Sequence, residues 1–324
     1  MLLPICAIVV QPRMFTRTPT TTWCRRRATE SLRYTDPHTL YAQMNDTPIT
    51  VLRSHRGWRS LPLKELWTKR ALLAFMVWRD IKVRYRQTAL GALWAILQPF
   101  LTMVVFTVFF GRMARIDSLD LPYAVFSYAA ILPWTLFSQG LTQASNSVAN
   151  AGAMLKKVYF PRLILPIAQV LVPAVDFVLA LFVYFGLMAY YHVPATWRLL
   201  WIPVLALATT VTALGPALWL AATNVRYRDV RHAVPFFVQL WMFVTPVIYP
   251  TATITAKLQE WGLPTWLYGL NPVAGIIAAS RWILLDLSRP DVAVVVTSAV
   301  VSLLLLITGA FWFRRTERTF ADIA

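Results

Sequence analysis

Apolar residues along this chain gather into long uninterrupted runs. A bilayer core about 30 Å thick needs roughly 20 apolar residues in a helix. Six segments qualify: 90–111, 121–141, 163–190, 199–223, 233–249 and 292–313. The fifth is short and contains Pro235 and Pro246, which predicts a kink. Proline is tolerated in a span where neighbouring helices satisfy the freed carbonyl. The pattern predicts an all-α integral membrane protein with six transmembrane helices.

Two further stretches carry apolar residues without the length to cross. Residues 61–86 read as an amphipathic helix on the membrane surface, with Ser60 and Pro62 suited to its start. Leu63, Leu66, Trp67, Ala71, Ala74, Trp78, Ile81 and Tyr85 recur at helical spacing, and Lys64, Lys69, Arg79, Lys82 and Arg86 lie mostly off that stripe, as an interfacial helix requires. A cytoplasmic helix packed on a partner would share the pattern. Between the last two spans, residues 250–291 exceed what a connection needs. They include AGIIAASRWILL, too short to span and too apolar to be solvated. With Trp261, Trp266, Tyr268 and Trp282 beside it, this stretch reads as two re-entrant helices dipping into the outer leaflet. A folded extracytoplasmic cap is the alternative.

Composition agrees with a membrane protein: 58% of the 324 residues are hydrophobic and the mean hydropathy is +0.55. The net charge of +17 would point to nucleic acid in a soluble chain. Beside apolar runs, membrane lipids with anionic headgroups and the positive-inside bias account for it without nucleic acid. Sorted by loop, 25 Lys and Arg fall on the side of the termini, and six (Arg112, Arg115, Arg198, Lys257, Arg281, Arg289) on the other. That bias, with an even span count, puts both termini in the cytoplasm.

Residues 1–43 differ from the rest, being rich in Thr, Pro and Arg with no sustained period. They are expected to be a disordered or artefactual extension, with Met44 as a natural start. Residues 44–89 then form a cytoplasmic and interfacial region, 90–313 the transmembrane domain, and 314–324 a cytoplasmic tail.

Little in the chain points to chemistry of its own. The eleven glycines form no GxxxxGK[ST] motif, so no P-loop is present. His38, His55, His192 and His232 make no paired ligand pattern, and Cys6 and Cys24 form no CxxC, so no metal site is indicated. One acid lies inside a span, Asp176, with no cation in any span to pair with it. It reads either as a structural hydrogen-bonding group or as part of transport chemistry.

Four segments carry a resemblance: WRDIKVRYRQTALGALWAILQP from Trp78, NAGAMLKKVYFPRLILPIAQ from Asn150, NVRYRDVRHAVPFFVQLWMFVTPVIYP from Asn224, and LNP from Leu270. Together they resemble the permease subunit of polysaccharide-exporting ABC transporters of the ABC-2 type, which export O-antigen, capsule or teichoic acid chains. The tail before Met44 has no counterpart in that pattern. The resemblance implies a homodimer in the cytoplasmic (inner) membrane with two copies of a separate ABC ATPase. It implies a lipid-linked polysaccharide as substrate and no ATPase site in this chain, ATP and Mg being bound by the partner. Alternatives are an ABC-2 exporter of a drug or small lipid and, from another class, a polyprenyl-phosphate-dependent membrane enzyme. The enzyme would need clustered acids or a His or Lys nucleophile at a membrane face, and the sequence shows none.

Residue roles follow from the resemblance by position. The loop from Asn146, with Lys156, Lys157 and Tyr159, is expected to couple to the ATPase, as are Arg226 and Arg228 in the next cytoplasmic connection. Arg228 and Asp229 are expected to pair locally. Arg79, Lys82, Arg84 and Arg86, at the cytoplasmic interface, suit a lipid pyrophosphate or anionic headgroups. Trp94, Phe106 and Phe110 on the first span and Trp241 and Tyr249 on the fifth are the candidates to line the channel. Trp241 and Tyr249 are about two helical turns apart and are expected to share a face.

Overall fold

A computed structural model describes residues 63–86, 91–116, 118–119, 121–152 and 160–317. The expected extension at 1–43 and the start of the interfacial region lie outside them. The described residues are helical or connect helices, with no strand among them.

Residues 61–86 were expected to form one helix; the described part forms two, α1 (Leu63–Thr68) and α2 (Arg70–Arg86). The apolar stripe also divides. Trp67, Ala71, Ala74 and Trp78 face outward, whereas Leu66, Ile81 and Tyr85 are half-buried and Met76 is fully buried. A helix with apolar residues on two opposite faces packs inward with one and leaves the other for lipid.

The next helix, α3 (Gly91–Phe106), contains Pro99 and continues as a π-helix over Thr107–Met113. Behind it stands α4 (Tyr123–Asn150), 28 residues long and the most enclosed helix of the fold. It continues well past Leu141, where its apolar run ends. Around it pack α5 (Ile164–Leu171), α6 (Pro173–Tyr190), α7 (Ile202–Arg226), α8 (Val230–Val244) and α10 (Ala274–Leu285). Between α8 and α10 lie α9 (Thr251–Glu260) and a 3₁₀ turn, Thr265–Leu270. The described fold closes with α11 (Val292–Thr316).

Four stretches are long and apolar enough to cross a membrane: Leu93–Met113, Ile164–Tyr190, Trp197–Arg226 and Val292–Thr316. A fifth, α4, has the length but is less apolar, and other helices enclose most of it. Its buried Ser127, Ser145 and Ser147 return their hydroxyls to carbonyls one turn back, at 3.2, 2.8 and 2.6 Å, so no polar group is stranded. Pro133 has no N–H for the Ala129 carbonyl, and Ser280 of α10 donates to that oxygen at 3.1 Å.

The fifth apolar run ends earlier than its composition suggests. α8 stops at Val244, and Thr245 is extended (φ −91°, ψ 143°). The stretch between α8 and α11 does contain two α-helices, but only one is enclosed. No residue of α9 is buried, whereas α10 is buried over most of its length.

Helix association in lipid depends on close packing and interhelical hydrogen bonds, since lipid tails are as apolar as the helices. The crossing of α7 and α11 uses both. Thr212 donates to Ser302 at 3.1 Å, and Trp219 stacks on Trp312 with ring centroids 4.9 Å apart. The opposite side of α11 turns Val292, Val296, Val300, Leu303, Ile307 and Phe311 outward, a lipid-facing stripe at helical spacing.

Two apolar clusters result. The larger surrounds α4. The smaller gathers Met76, Val148, Phe160, Leu163, Ile164, Ala221 and Phe313, where α4, α7 and α11 end and α5 begins. α2 is held at that end of the bundle.

Candidate functional site

The cationic run before α3 is divided by burial. Lys82 and Arg86 are exposed. Arg79 is also exposed but its Nε donates to Asp80 at 2.8 Å, and Gln169 Nε2 donates to the other Asp80 oxygen at 2.5 Å. Arg84 turns inward. Its Nη2 donates to Gln139 of α4 at 3.0 Å and lies 2.6 Å from Asp176 Oδ2. Tyr85 donates its hydroxyl to the other Asp176 oxygen. Burial and this hydrogen bond raise the Tyr85 hydroxyl above its ordinary pKa, which keeps it a donor.

Two expectations change here. Asp176 does have a cationic partner, and it comes from α2 instead of from a span. Arg84 is therefore committed to a carboxylate, which leaves Arg79, Lys82 and Arg86 as the outward cations of the four, Arg79 being paired with Asp80. The sequence could not show this, because Tyr85 and Asp176 stand 91 positions apart and only the docking of α2 against α5 and α6 brings them together.

Beside Asp176 a cavity of about 10 Å³ is lined by Ala95, Pro99, Thr135, Gln139 and Pro173 among others. Pro99 lacks the N–H that would bond the Ala95 carbonyl. The cavity lies between α3, α4 and α6, and apart from Thr135, Gln139 and Asp176 its lining is apolar.

The five aromatic candidates do not share one surface. Trp94 is 52% exposed, Phe106 is 7% exposed, and Phe110 packs edge-on against Phe106 at 5.4 Å. Trp241 is half-buried, with its ring edge-on to Phe137 at 5.3 Å and its Nε1 donating to Asn271 at 3.1 Å. Asn271 in turn donates to Thr245 at 3.0 Å. Tyr249 does not extend the face of Trp241, because the helix has already ended. Its hydroxyl folds back to the carbonyls of Phe243 and Val244 at 3.2 and 3.3 Å. The outward aromatics of α8 are Phe236, Phe237 and Phe243.

Arg281 is a second revision. Counted by sequence as a loop charge, it is only 4% exposed. It donates to the Tyr249 and Val247 carbonyls at 2.9 Å each and stacks over Phe126 at 3.9 Å. It thereby ties α10 to the turn after α8 and to α4. A lone arginine inside an otherwise apolar twelve-residue helix was the signal available in the sequence.

Of the residues expected at the coupling loops, Lys156, Lys157 and Tyr159 lie outside the described residues. Asn146 is still within α4, and its Oδ1 accepts from Asn224 Nδ2 of α7 at 2.9 Å. Asn224 also donates to the Ser145 carbonyl at 2.9 Å, so this pair joins two helix ends. Arg226 is exposed and lies over the Tyr227 ring at 5.4 Å. Arg228 is exposed as well, and no ion pair joins it to Asp229. At the same end of the fold, Arg162 donates to the Glu317 carbonyl at 2.5 Å. Burial pushes the Glu317 carboxyl above the usual range, against the lowering influence of Arg314 and Arg162.

An all-helical core, apolar helices of crossing length and a cationic interfacial segment define a multi-pass membrane protein. Comparison with known proteins places it more closely. The ABC-2 type transporter family matches residues 71–285, and the chain belongs to that family. It is 33% identical over 261 residues to the O-antigen export system permease protein RfbA of Myxococcus xanthus, covering 80% of this chain and 98% of that one. It is 24% identical over 255 residues to a protein of the same name from Klebsiella pneumoniae, covering 78% and 94%. The polysialic acid transport protein KpsM of Escherichia coli is 21% identical over 213 residues, covering 63% and 77%.

Proposed function

We propose that this chain is the permease subunit of an ABC transporter that exports a lipid-linked polysaccharide, O-antigen-like, across the cytoplasmic (inner) membrane. The observation that carries the reading is similarity to an O-antigen export permease over 98% of that protein's length. In this reading two copies of the chain work with two copies of a separate ATPase, which binds ATP and Mg. Residues 90–313 form six spans by adding α4 and α8 to the four long apolar stretches, and α9 and α10 are re-entrant. Both termini face the cytoplasm, as the charge bias favours, with 44–89 as the interfacial region and 314–324 as a tail. Lys82 and Arg86 meet the lipid pyrophosphate or neighbouring headgroups. Lys156, Lys157, Tyr159, Arg226 and Arg228 meet the ATPase, with Asn146 bracing the loop through Asn224. Trp94 and the outward aromatics of α8 offer the polymer weak, interchangeable contacts, since a conducting path needs sites that release.

The test is genetic and biochemical together. Deleting the gene should abolish a surface polysaccharide, restoring it in trans should bring the polysaccharide back, and the tagged chain should co-purify with a P-loop ATPase. Unchanged surface polysaccharide with no ATPase recovered would end the reading.

A further inference from the structure

The contacts between α2 and the helices behind it form a graded series. Met76, 1% exposed, anchors α2 in the smaller apolar cluster against Val148, Leu163 and Ile164. Apolar contact of this kind is non-directional and sets no register. One turn further along, Asp80 accepts from Gln169 at 2.5 Å. One turn beyond that, Arg84 and Tyr85 both meet Asp176. The contacts thus advance in the same order along both segments, from Met76 to Asp80 to Arg84 on α2 and from Ile164 to Gln169 to Asp176 on α5 and α6.

The end of this series is where direction matters most. Asp176 stands in the first turn of α6, after Pro173. The guanidinium that pairs with it also holds Gln139 of α4. α3 packs chiefly against α4 and α6, with a smaller contact to α2, and Pro99 of α3 lines the same small cavity as Gln139 and Asp176. The side chain of Asp176 is only 5% exposed. Its Oδ2 makes no hydrogen bond, so its compensation is the Arg84 charge. A carboxylate placed there is hard to explain by stability alone, because a buried ion pair adds little over an apolar pair of the same volume. It does specify which turn of α2 meets which turn of α6.

We infer that Asp176 is a positioning residue of the transport cycle: it locks Arg84 and Tyr85 so that α2 and α6 move as one body, and a displacement of α2 reaches the wall of the first span at Pro99. This rests on the transport reading above, and it assigns α2 a mechanical role in addition to anchoring.

The test uses the full chain with its ATPase in a strain deleted for the gene. Asp176→Asn keeps the size and removes the charge. Its export should fall by at least about tenfold, while its amount in the membrane and ATP hydrolysis per complex stay within about threefold of the parent. Asp176→Glu, which restores the carboxylate, should recover most of the export, a rescue that a volume effect would not produce. A second experiment does not depend on that variant accumulating. In a background with Cys6→Ser and Cys24→Ser, the double substitution D80C/Q169C allows α2 to be cross-linked to α5. Export should survive oxidation, because the two segments already travel together. Normal export by D176N, or export blocked by oxidation and restored by reduction, would overturn the inference. If the unmodified chain itself restores no polysaccharide, the transport reading has failed instead.

Discussion

Gly215 and Gly309 bring α7 and α11 into backbone contact: a Cβ on Gly309 would lie 2.5 Å from the Gly215 carbonyl oxygen. A Cβ on Gly215 would lie 2.8 Å from the Leu306 backbone nitrogen. Neither obstacle is a side chain that could turn aside, so the crossing requires glycine on both helices.

Gly309→Leu should therefore part the two helices. Overpacking costs about 1–3 kcal/mol in general, and backbone obstruction places this site at the upper end. The variant should unfold at lower temperature in detergent and lose the Trp219–Trp312 stack, visible in tryptophan fluorescence. Gly186 has open space around it, and Gly186→Leu should leave both measurements unchanged.

Arg281→Leu should destabilise the junction of α10, the turn after α8 and α4. It leaves the Val247 and Tyr249 carbonyls without their donor, at about 1–3 kcal/mol for each buried group. Arg281→Lys keeps a charge but not the fork that reaches both oxygens, so thermal unfolding should rank the parent first, lysine second and leucine last.

Reversing charge at Lys156 and Lys157 tests the coupling role proposed for that loop. K156E/K157E should insert normally, since the remaining cations on the side of the termini still set topology. Export should fall while the partner ATPase continues to hydrolyse ATP. Normal export by the double variant would remove these two residues from the coupling path.

Glu317 provides a pH-dependent test. Its folded-state pKa is raised, chiefly by burial, so the folded protein favours the neutral carboxyl. Ionisation as pH rises above the ordinary carboxylate range then works against folding. Glu317→Gln should be nearly neutral in acid and should stabilise progressively as pH rises toward neutrality, read as the difference in unfolding temperature between pH 4.5 and 7.5. A difference that shrinks with pH would contradict the assignment.

The long helices were legible as apolar runs because crossing a bilayer imposes a length and a composition that need no knowledge of neighbours. Even there, packing intervened. The sequence pattern carried α8 through Tyr249, because Thr245 and Pro246 are compatible with a kinked span. The tertiary structure ends it at Val244, where Asn271 holds both Trp241 and Thr245 and Tyr249 folds back. The stripe on residues 61–86 misled for a related reason: periodicity identifies an apolar face but not that α2 has two, one for Met76 and one for Ala71, Ala74 and Trp78.

By itself, the sequence determined the apolar segments, the cationic bias and the motifs that mark the ABC-2 family, all of them local properties of the chain. The partners of Arg84, Asp176, Asn224, Asn271 and Arg281 were decided only by tertiary structure. Hydropathy scores a residue against lipid or water, whereas a buried polar side chain is matched to another helix. That match depends on which turns of two helices meet, which no local pattern records.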